Sequence, residues 1–476
     1  MKDIRLISFL ILGFSLFSEV LAVDETIHPL WSVEIQAEHV DVSENFVVIV
    51  SNDTLYVFDK AGNLILKKPA PLWTGITEGY LVTIEDTNST EIVNGIWLKV
   101  LRIVWINLRD FSSKNYTIKV GDFARWLVAK GKDRIAVVDL EPMGYSKLYV
   151  LGRYGVLFST NISVYPTKVL IEGDSIYVKG VSVIQKFLDK QGELNLKFTT
   201  CNYPKRFDAH RNLLAVLLMN GSLRLMKDTK ILWTKNLEFK EGKIHECLFD
   251  THFSPVYADV KFLGDYILVS IDNRLELYSL NGMLFQSVKL GENITNLESS
   301  NSLAVVITPN KVHFISKDGI LGSYDIKAKR IAVYGLNALV ADSQRVYFFT
   351  FEPFVTVTDI DESIAREVFS NETPDLQIVL GKAAAKFVNA IFTRDTMELN
   401  GIIYKSTWKK EDYCLIQPKN GRVFIVGTHR YGTKACLLYY KERKPKKPVL
   451  LRWKDLNRNS KVEVEEIETV FMENSR

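Results

Sequence analysis

The chain has 476 residues, room for one large domain and a smaller one. Hydrophobic residues at 47% and charged residues at 24% exclude a disordered chain. A net charge of only +4, spread along the sequence, excludes a binder that holds nucleic acid by electrostatics.

Residues 1–22 read as a secretory signal peptide. Lys2 and Arg5 form a positive start, Leu6–Phe17 an apolar core, and Val20-Leu21-Ala22 a small-residue cleavage site. The alternative is an uncleaved anchor, because Asp3 and Glu19 blur the flanks, and only then would the chain touch a membrane. The most apolar later stretch, Ile96–Leu108, is interrupted by Lys99 and Arg102. The expected location is extracellular or at the cell surface. His and Met are sparse while Lys, Glu, Val and Ile are plentiful, a bias that fits a thermophile.

Next comes a repeated sentence of roughly 40 residues, the period of a propeller blade. In Ser51–Leu66 a short alternating strand (Leu55, Val57) enters the turn Ala61-Gly62-Asn63 and leaves as a second strand. The first blade takes Phe46–Val50, Thr54–Phe58 and Leu64–Lys67, and a second, irregular one covers Tyr80–Val120. The third, Ile135–Ser159, and fourth, Ser175–Phe198, follow. The fifth, sixth and seventh turn on Asn220-Gly221, Asn281-Gly282 and Asp318-Gly319, strong hairpin signals. An eighth, Arg330–Phe351, lacks an outer strand, while Leu30–Ile35 is a strand without a blade and is similar to Leu232–Leu237. Pairing the two closes a ring and removes its open edges. The fold class is therefore mainly β: an eight-bladed propeller over residues 30–353, with seven blades as the alternative, followed by a small α/β domain. The Asp59–Asn63 turn and the Leu-Trp outer strands resemble those of quinoprotein-type (PQQ-like) propellers. That family holds dehydrogenases, outer-membrane assembly factors and binding proteins, so the resemblance implies the fold and leaves activity open.

Residues 354–373 read as a charged linker and 374–476 as the C-terminal domain. In that domain Lys382–Thr393 has helical spacing, Tyr413–Gln417 and Arg422–Val426 form a hairpin, Thr428 caps a helix through Tyr439, and Val449–Trp453 is a strand. The stretch Ile425–Cys436, IVGTHRYGTKAC, resembles a strand–turn–helix of archaeal surface-layer proteins. The family's Gly-Gly-Pro turn is replaced here by Gly381-Lys382-Ala383. The resemblance implies an archaeal cell-envelope location and envelope or surface-layer protein or polysaccharide partners.

Four cysteines, Cys201, Cys247, Cys414 and Cys436, suit an exported chain, with neighbour pairing the natural choice among three connectivities and free thiols the alternative. Sequons at Asn52, Asn88, Asn115, Asn161, Asn220, Asn293 and Asn371 offer glycosylation sites. The sharpest chemical motif is Asp455–Glu466. Asp455, Asn457, Asn459, Lys461 (by its carbonyl), Glu463 and Glu466 stand at EF-hand positions 1, 3, 5, 7, 9 and 12 and imply structural calcium. Ser460 replaces the usual glycine, and the bland alternative is a polar turn. His245–His252 offers two imidazoles and Cys247 to a softer metal, against the plainer reading of a tied-down loop. The basic run Lys441–Pro448 reads as a solvated loop. Phosphate-loop, nucleophile-elbow and zincin motifs are all missing from the sequence. The favoured function is binding or scaffolding on the loop face. The alternative is a PQQ- and calcium-dependent dehydrogenase or a carbohydrate-active hydrolase, which would show converging acids in the central channel.

Overall fold

The computed structural model describes residues 26–93, 96–121, 125–140, 146–188, 193–197, 203–237, 257–370 and 372–472. The expected signal peptide, Cys201, Cys247, His245–His252 and Asn371 lie outside them.

The strands from Trp31–Val33 to Val346–Thr350 build a β-propeller. Eight four-stranded antiparallel sheets stand among the described residues. Seven are consecutive meanders; the first runs His39–Val42, Phe46–Ser51, Thr54–Asp59, Leu64–Pro69. The eighth orders Arg330–Tyr334, Asn337–Ala341 and Val346–Thr350, and its outermost strand is Trp31–Val33 from the start of the chain. Trp31 lies opposite Phe348 and Val33 opposite Val346.

Burial explains the sheet pattern. Second and third strands lie between neighbouring sheets, so Val47–Val50 are all buried and read as an unbroken apolar run. Outermost strands such as Leu64–Pro69 are half wet. Apolar clusters glue each sheet to the next, from Val48, Leu55, Ile76 and Leu81 between the first two to Val305, Phe314, Val340 and Phe349 between the last two. Another joins the eighth to the first through Phe348, Leu339, Trp31, Val47 and Ile49. The ring is closed by packing as well as by pairing. A β-bulge between third and fourth strands recurs at Val57/Phe58, Val150/Leu151, Leu225/Met226, Leu277/Tyr278 and Phe314/Ile315. Such a bulge bends its strand and raises the local twist.

The C-terminal region forms a six-stranded mixed sheet in the order Phe354–Val355, Gln377–Leu380, Arg422–Gly427, Glu411–Lys419, Val449–Lys454, Ile467–Met472. The first two pairings are parallel. Its strands alternate between two dry faces. Ile378, Leu380, Val423, Ile425, Val449 and Leu451 meet helices α1 (Asp359–Phe369) and α3 (Arg430–Arg443). Val379, Phe424, Val426, Leu415 and Leu450 instead join the cluster at the closing seam of the ring. The sheet is thus sandwiched between its helices and the propeller.

Two sequence readings change here. Residues 354–373 are no linker: they hold a strand and α1, whose Ile364, Ala365, Val368 and Phe369 are buried. The helix read at 382–393 shrinks to α2 (Gly381–Ala385), because Val388 packs into the seam and Ile391–Phe392 turns into a strand. Tertiary packing overrides spacing in that segment.

The seat of this domain has a clear orientation. It touches the ring at Ala61, between third and fourth strands, and near Thr350–Glu352, after a third strand. In a meander that end is where innermost strands finish. At the opposite end, where they begin, no hydrogen bond or ion pair to the C-terminal domain stands among the described residues.

Candidate functional site

The channel of the ring is the first place where chemistry could converge, and its walls are charged. Asp41 in the first sheet accepts the amides of Val42 and Ile76, both at 2.8 Å, and pairs with Lys130 of the third. Asp208 accepts the Phe262 amide at 2.7 Å from the neighbouring sheet. Asp259 accepts the Val260 amide at 2.8 Å and the Tyr257 hydroxyl at 3.2 Å. Glu298 takes Lys261 Nζ at 2.6 Å. Burial pushes the Asp208 carboxyl up, against the pull of Lys261 and Lys168. Burial pushes the His39 imidazole down, which favours its neutral form.

These carboxylates are staples. Asp41, Asp208 and Glu298 each tie an innermost strand to a neighbour or to a cation, Asp259 is bonded within its own segment, and an acid bonded in this way is a poor general base. Among the described residues no group of three or more His, Cys, Asp and Glu is arranged to hold a metal.

The expected calcium loop is a compact turn. Asp455 accepts the amides of Asn459 and Ser460, each at 3.1 Å. Ser460 takes φ 56°, the left-handed turn usually left to glycine. Glu466, buried, accepts the Leu456 amide at 2.9 Å and Trp453 Nε1 at 3.1 Å. Asn457 and Asn459 direct their amide nitrogens to Glu463 at 2.8 and 2.9 Å. Lys461 donates its own amide to Asn459 Oδ1 at 2.7 Å. The six residues are brought together, and their hydrogen bonds are met within the loop and by the Trp453 indole of the strand before it. A cation would have to displace the two Asn–Glu463 bonds. The loop's Ser460 and Lys461 border a cleft of about 510 Å³ that α1 and α3 line with Ser363, Glu367, Arg430 and Lys434.

Sequence reading missed a buried polar centre beside α3. Asp412, almost fully buried, accepts the amides of Tyr413 (2.9 Å), His429 (3.1 Å) and Gly432 (2.6 Å) and the Ser406 hydroxyl (2.9 Å). His429, the helix N-cap, makes no side-chain cap bond, so a carboxylate from a neighbouring strand does that work. His429 Nε2 lies 3.0 Å from Asp395 and its ring meets Trp408 edge-on. Gly432 is required by close approach: a Cβ there would fall 2.6 Å from the Tyr413 carbonyl. Burial pushes the Asp412 carboxyl up to about 6 despite its donors. Thr428, expected as the cap, is not the residue that caps.

Cys414 and Cys436 form a disulfide between the central strand and α3. The sequon asparagines Asn52, Asn88, Asn115, Asn161, Asn220 and Asn293 are all exposed. The basic run begins inside α3, where Lys441 donates to the Val368 carbonyl at 3.1 Å and Lys444 caps the end at φ 44°. Cations there suit the helix dipole.

No protein-family profile matches the chain, and no curated protein matches it. Solved structures similar to it include BamB from Moraxella catarrhalis (12% identity, 60% of this chain, 84% of that one, TM-score 0.36). AztD from Citrobacter koseri (11%, 61% and 86%, 0.39) and the WD40 domain of SCAP from fission yeast (11%, 68% and 97%, 0.44) are others. At such identities and scores they say nothing of activity, and the propeller rests on its own sheets.

Proposed function

We propose that the protein is an exported, archaeal cell-envelope binding or scaffold protein. The open end of its propeller recognises the partner, and its C-terminal domain faces the envelope. The observation that carries this reading is the state of the channel acids: Asp41 and Asp208 hold neighbouring sheets, Glu298 is paired with Lys261, and Asp259 is taken by the Val260 amide and the Tyr257 hydroxyl, which leaves a rigid ring with adjustable loops. Exposure of six sequon asparagines and the Cys414–Cys436 bridge support export. The partner class is an envelope or surface-layer protein or polysaccharide. Calcium is proposed as a structural ion of the Asp455–Glu466 loop, supported by the spacing of its oxygens and the left-handed Ser460.

Fractionating the source cells and following the chain tests the reading. Recovery with the envelope, at a mass above that of the bare polypeptide, is the expected result. A cytosolic, unmodified chain would overturn it.

A further inference from the structure

Cations gather at the open end of the ring, where the innermost strands begin. Lys168 starts the strand Lys168–Glu172, and its register partner is Lys179, the last residue of Ser175–Lys179. Facing residues of an antiparallel pair share one side of the sheet. The innermost strand of the next sheet, Pro204–His210, brings Lys205 and Arg206 to the same end.

Lys168 bridges the two sheets. Its Nζ donates to the Phe207 carbonyl at 3.0 Å and stands 4.9 Å from the Phe207 ring. Lys179 donates to Thr167 Oγ1 at 3.2 Å. Arg206, half exposed, has Asp259 only at 3.9 Å, and Asp259 is already held by an amide and a hydroxyl. Among the described residues neither Lys168 nor Lys179 forms an ion pair. Burial lowers the pKa of Lys168 and Lys179, and the neighbouring cations lower it further: Lys261 acts on Lys168, and Arg206 and Lys168 act on Lys179. Asp208, Asp259 and Glu298 act the other way on Lys168, but Glu298 is taken by Lys261 and Asp259 by an amide and a hydroxyl, and on Lys179 only cations act.

Like charges crowded at one mouth raise each other's energy, and an entering anion relieves it. We propose that Lys168, Lys179 and Arg206 form a binding site for a small polyanion, whose carboxylate or phosphate oxygens accept their N–H donors. The site lies on the end assigned to recognition above and rests on that reading. It names the chemistry recognised there. The two fail separately: loss of anion binding removes the cation site, while a cytosolic chain removes the envelope role.

Isothermal titration calorimetry of the full chain with inorganic phosphate and with citrate, in separate runs at low salt, tests the site. Saturable binding of either is expected, weakening as NaCl screens the charges. Saturation by phosphate alone assigns a phosphate-bearing ligand; saturation by citrate alone assigns a polycarboxylate. Arg206→Gln and Lys168→Met are each expected to weaken binding ~10-fold. Arg206 is a half-exposed side chain, so its variant keeps the test valid should Lys168→Met fold poorly. Lys132→Gln, a well-exposed lysine at the other end of the ring, should change nothing. No saturation by either anion below about 50 mM, or binding unaffected by Arg206→Gln, would overturn the proposal.

Discussion

Trp31 lies flat against Gly62, so close that a Cβ on the glycine would fall 2.8 Å from the ring. Its Nε1 donates to the Lys60 carbonyl at 3.0 Å, and its ring stacks on Phe348 at 5.2 Å. Trp233 does the same between the fifth and sixth sheets: Nε1 meets the Leu280 carbonyl at 2.9 Å, with Gly282 beneath the ring. An outer-strand tryptophan thus docks on the glycine turn of the next sheet. At Trp31 that dock also joins the two ends of the ring.

Gly62→Ala adds a methyl group where φ is 79° and the Trp31 ring leaves no room. A loss of about 2–3 kcal/mol is expected from strain and overpacking. Trp31→Ala should lose about 3–5 kcal/mol through the void it leaves. Urea unfolding measures both.

Arg422 clamps the chain start to the C-terminal sheet. Its Nη1 and Nη2 donate to the carbonyls of Pro29 (3.0 Å) and His28 (2.7 Å), and its Nε donates to Gln377 Oε1 (2.7 Å). Gln377 in turn holds the Thr350 and Glu352 carbonyls at 2.8 and 2.7 Å. Arg422→Met is expected to lose about 2–3 kcal/mol, since charge-assisted bonds vanish and partly buried carbonyls lose their donors. An unchanged melting temperature would show the clamp to be incidental.

Asp412 gives stability a pH dependence of defined sign. Its folded pKa, about 6, stands above the unfolded value near 4. Its contribution is therefore fully present below about pH 4 and lost as pH rises through about 6. Asp412→Asn keeps an acceptor for the α3 amides and should flatten that part of the profile. Asp412→Ala strands several buried donors and should lose about 2–4 kcal/mol at every pH. Denaturant titrations between those pH values check both.

For the Asp455–Glu466 loop, millimolar calcium is expected to raise the melting temperature, and Asp455→Ala to abolish the rise. Calorimetry with and without chelator decides it. Equal melting in both would leave the loop as a turn closed by its own hydrogen bonds.

How much of this was legible follows from where side chains point. Second and third strands announce themselves through runs such as Val47–Val50 and through the Asn-Gly and Asp-Gly turns. The innermost strands do not. Asp41, Lys168, Asp208 and Lys261 interrupt their apolar pattern because the channel accommodates charge. The segment 354–373 looked like a linker because Asp359, Asp361, Glu362 and Arg366 dominate its composition. The Thr358–Asp361 capping pair, with the Asp361 amide 3.2 Å from Thr358 Oγ1, was the signal that could have revealed α1. The apolar run Val423–Val426 likewise marks a strand buried on both faces, which is why the C-terminal sheet needs the ring as its other wall. Asp412 and His429 meet only through the fold, and no local pattern joins them.

The central claim is that the ring is shut by its own first strand. Hydrogen–deuterium exchange of the backbone amides of Leu30–Val33, beside those of Asn337–Ala341 in the same sheet, tests it most directly. Leu30 donates to the Phe348 carbonyl at 2.8 Å and Trp31–Val33 are paired, so protection comparable to that of the inner strand is predicted. Exchange of those amides at the rate of a free peptide, while Asn337–Ala341 stays protected, would contradict it.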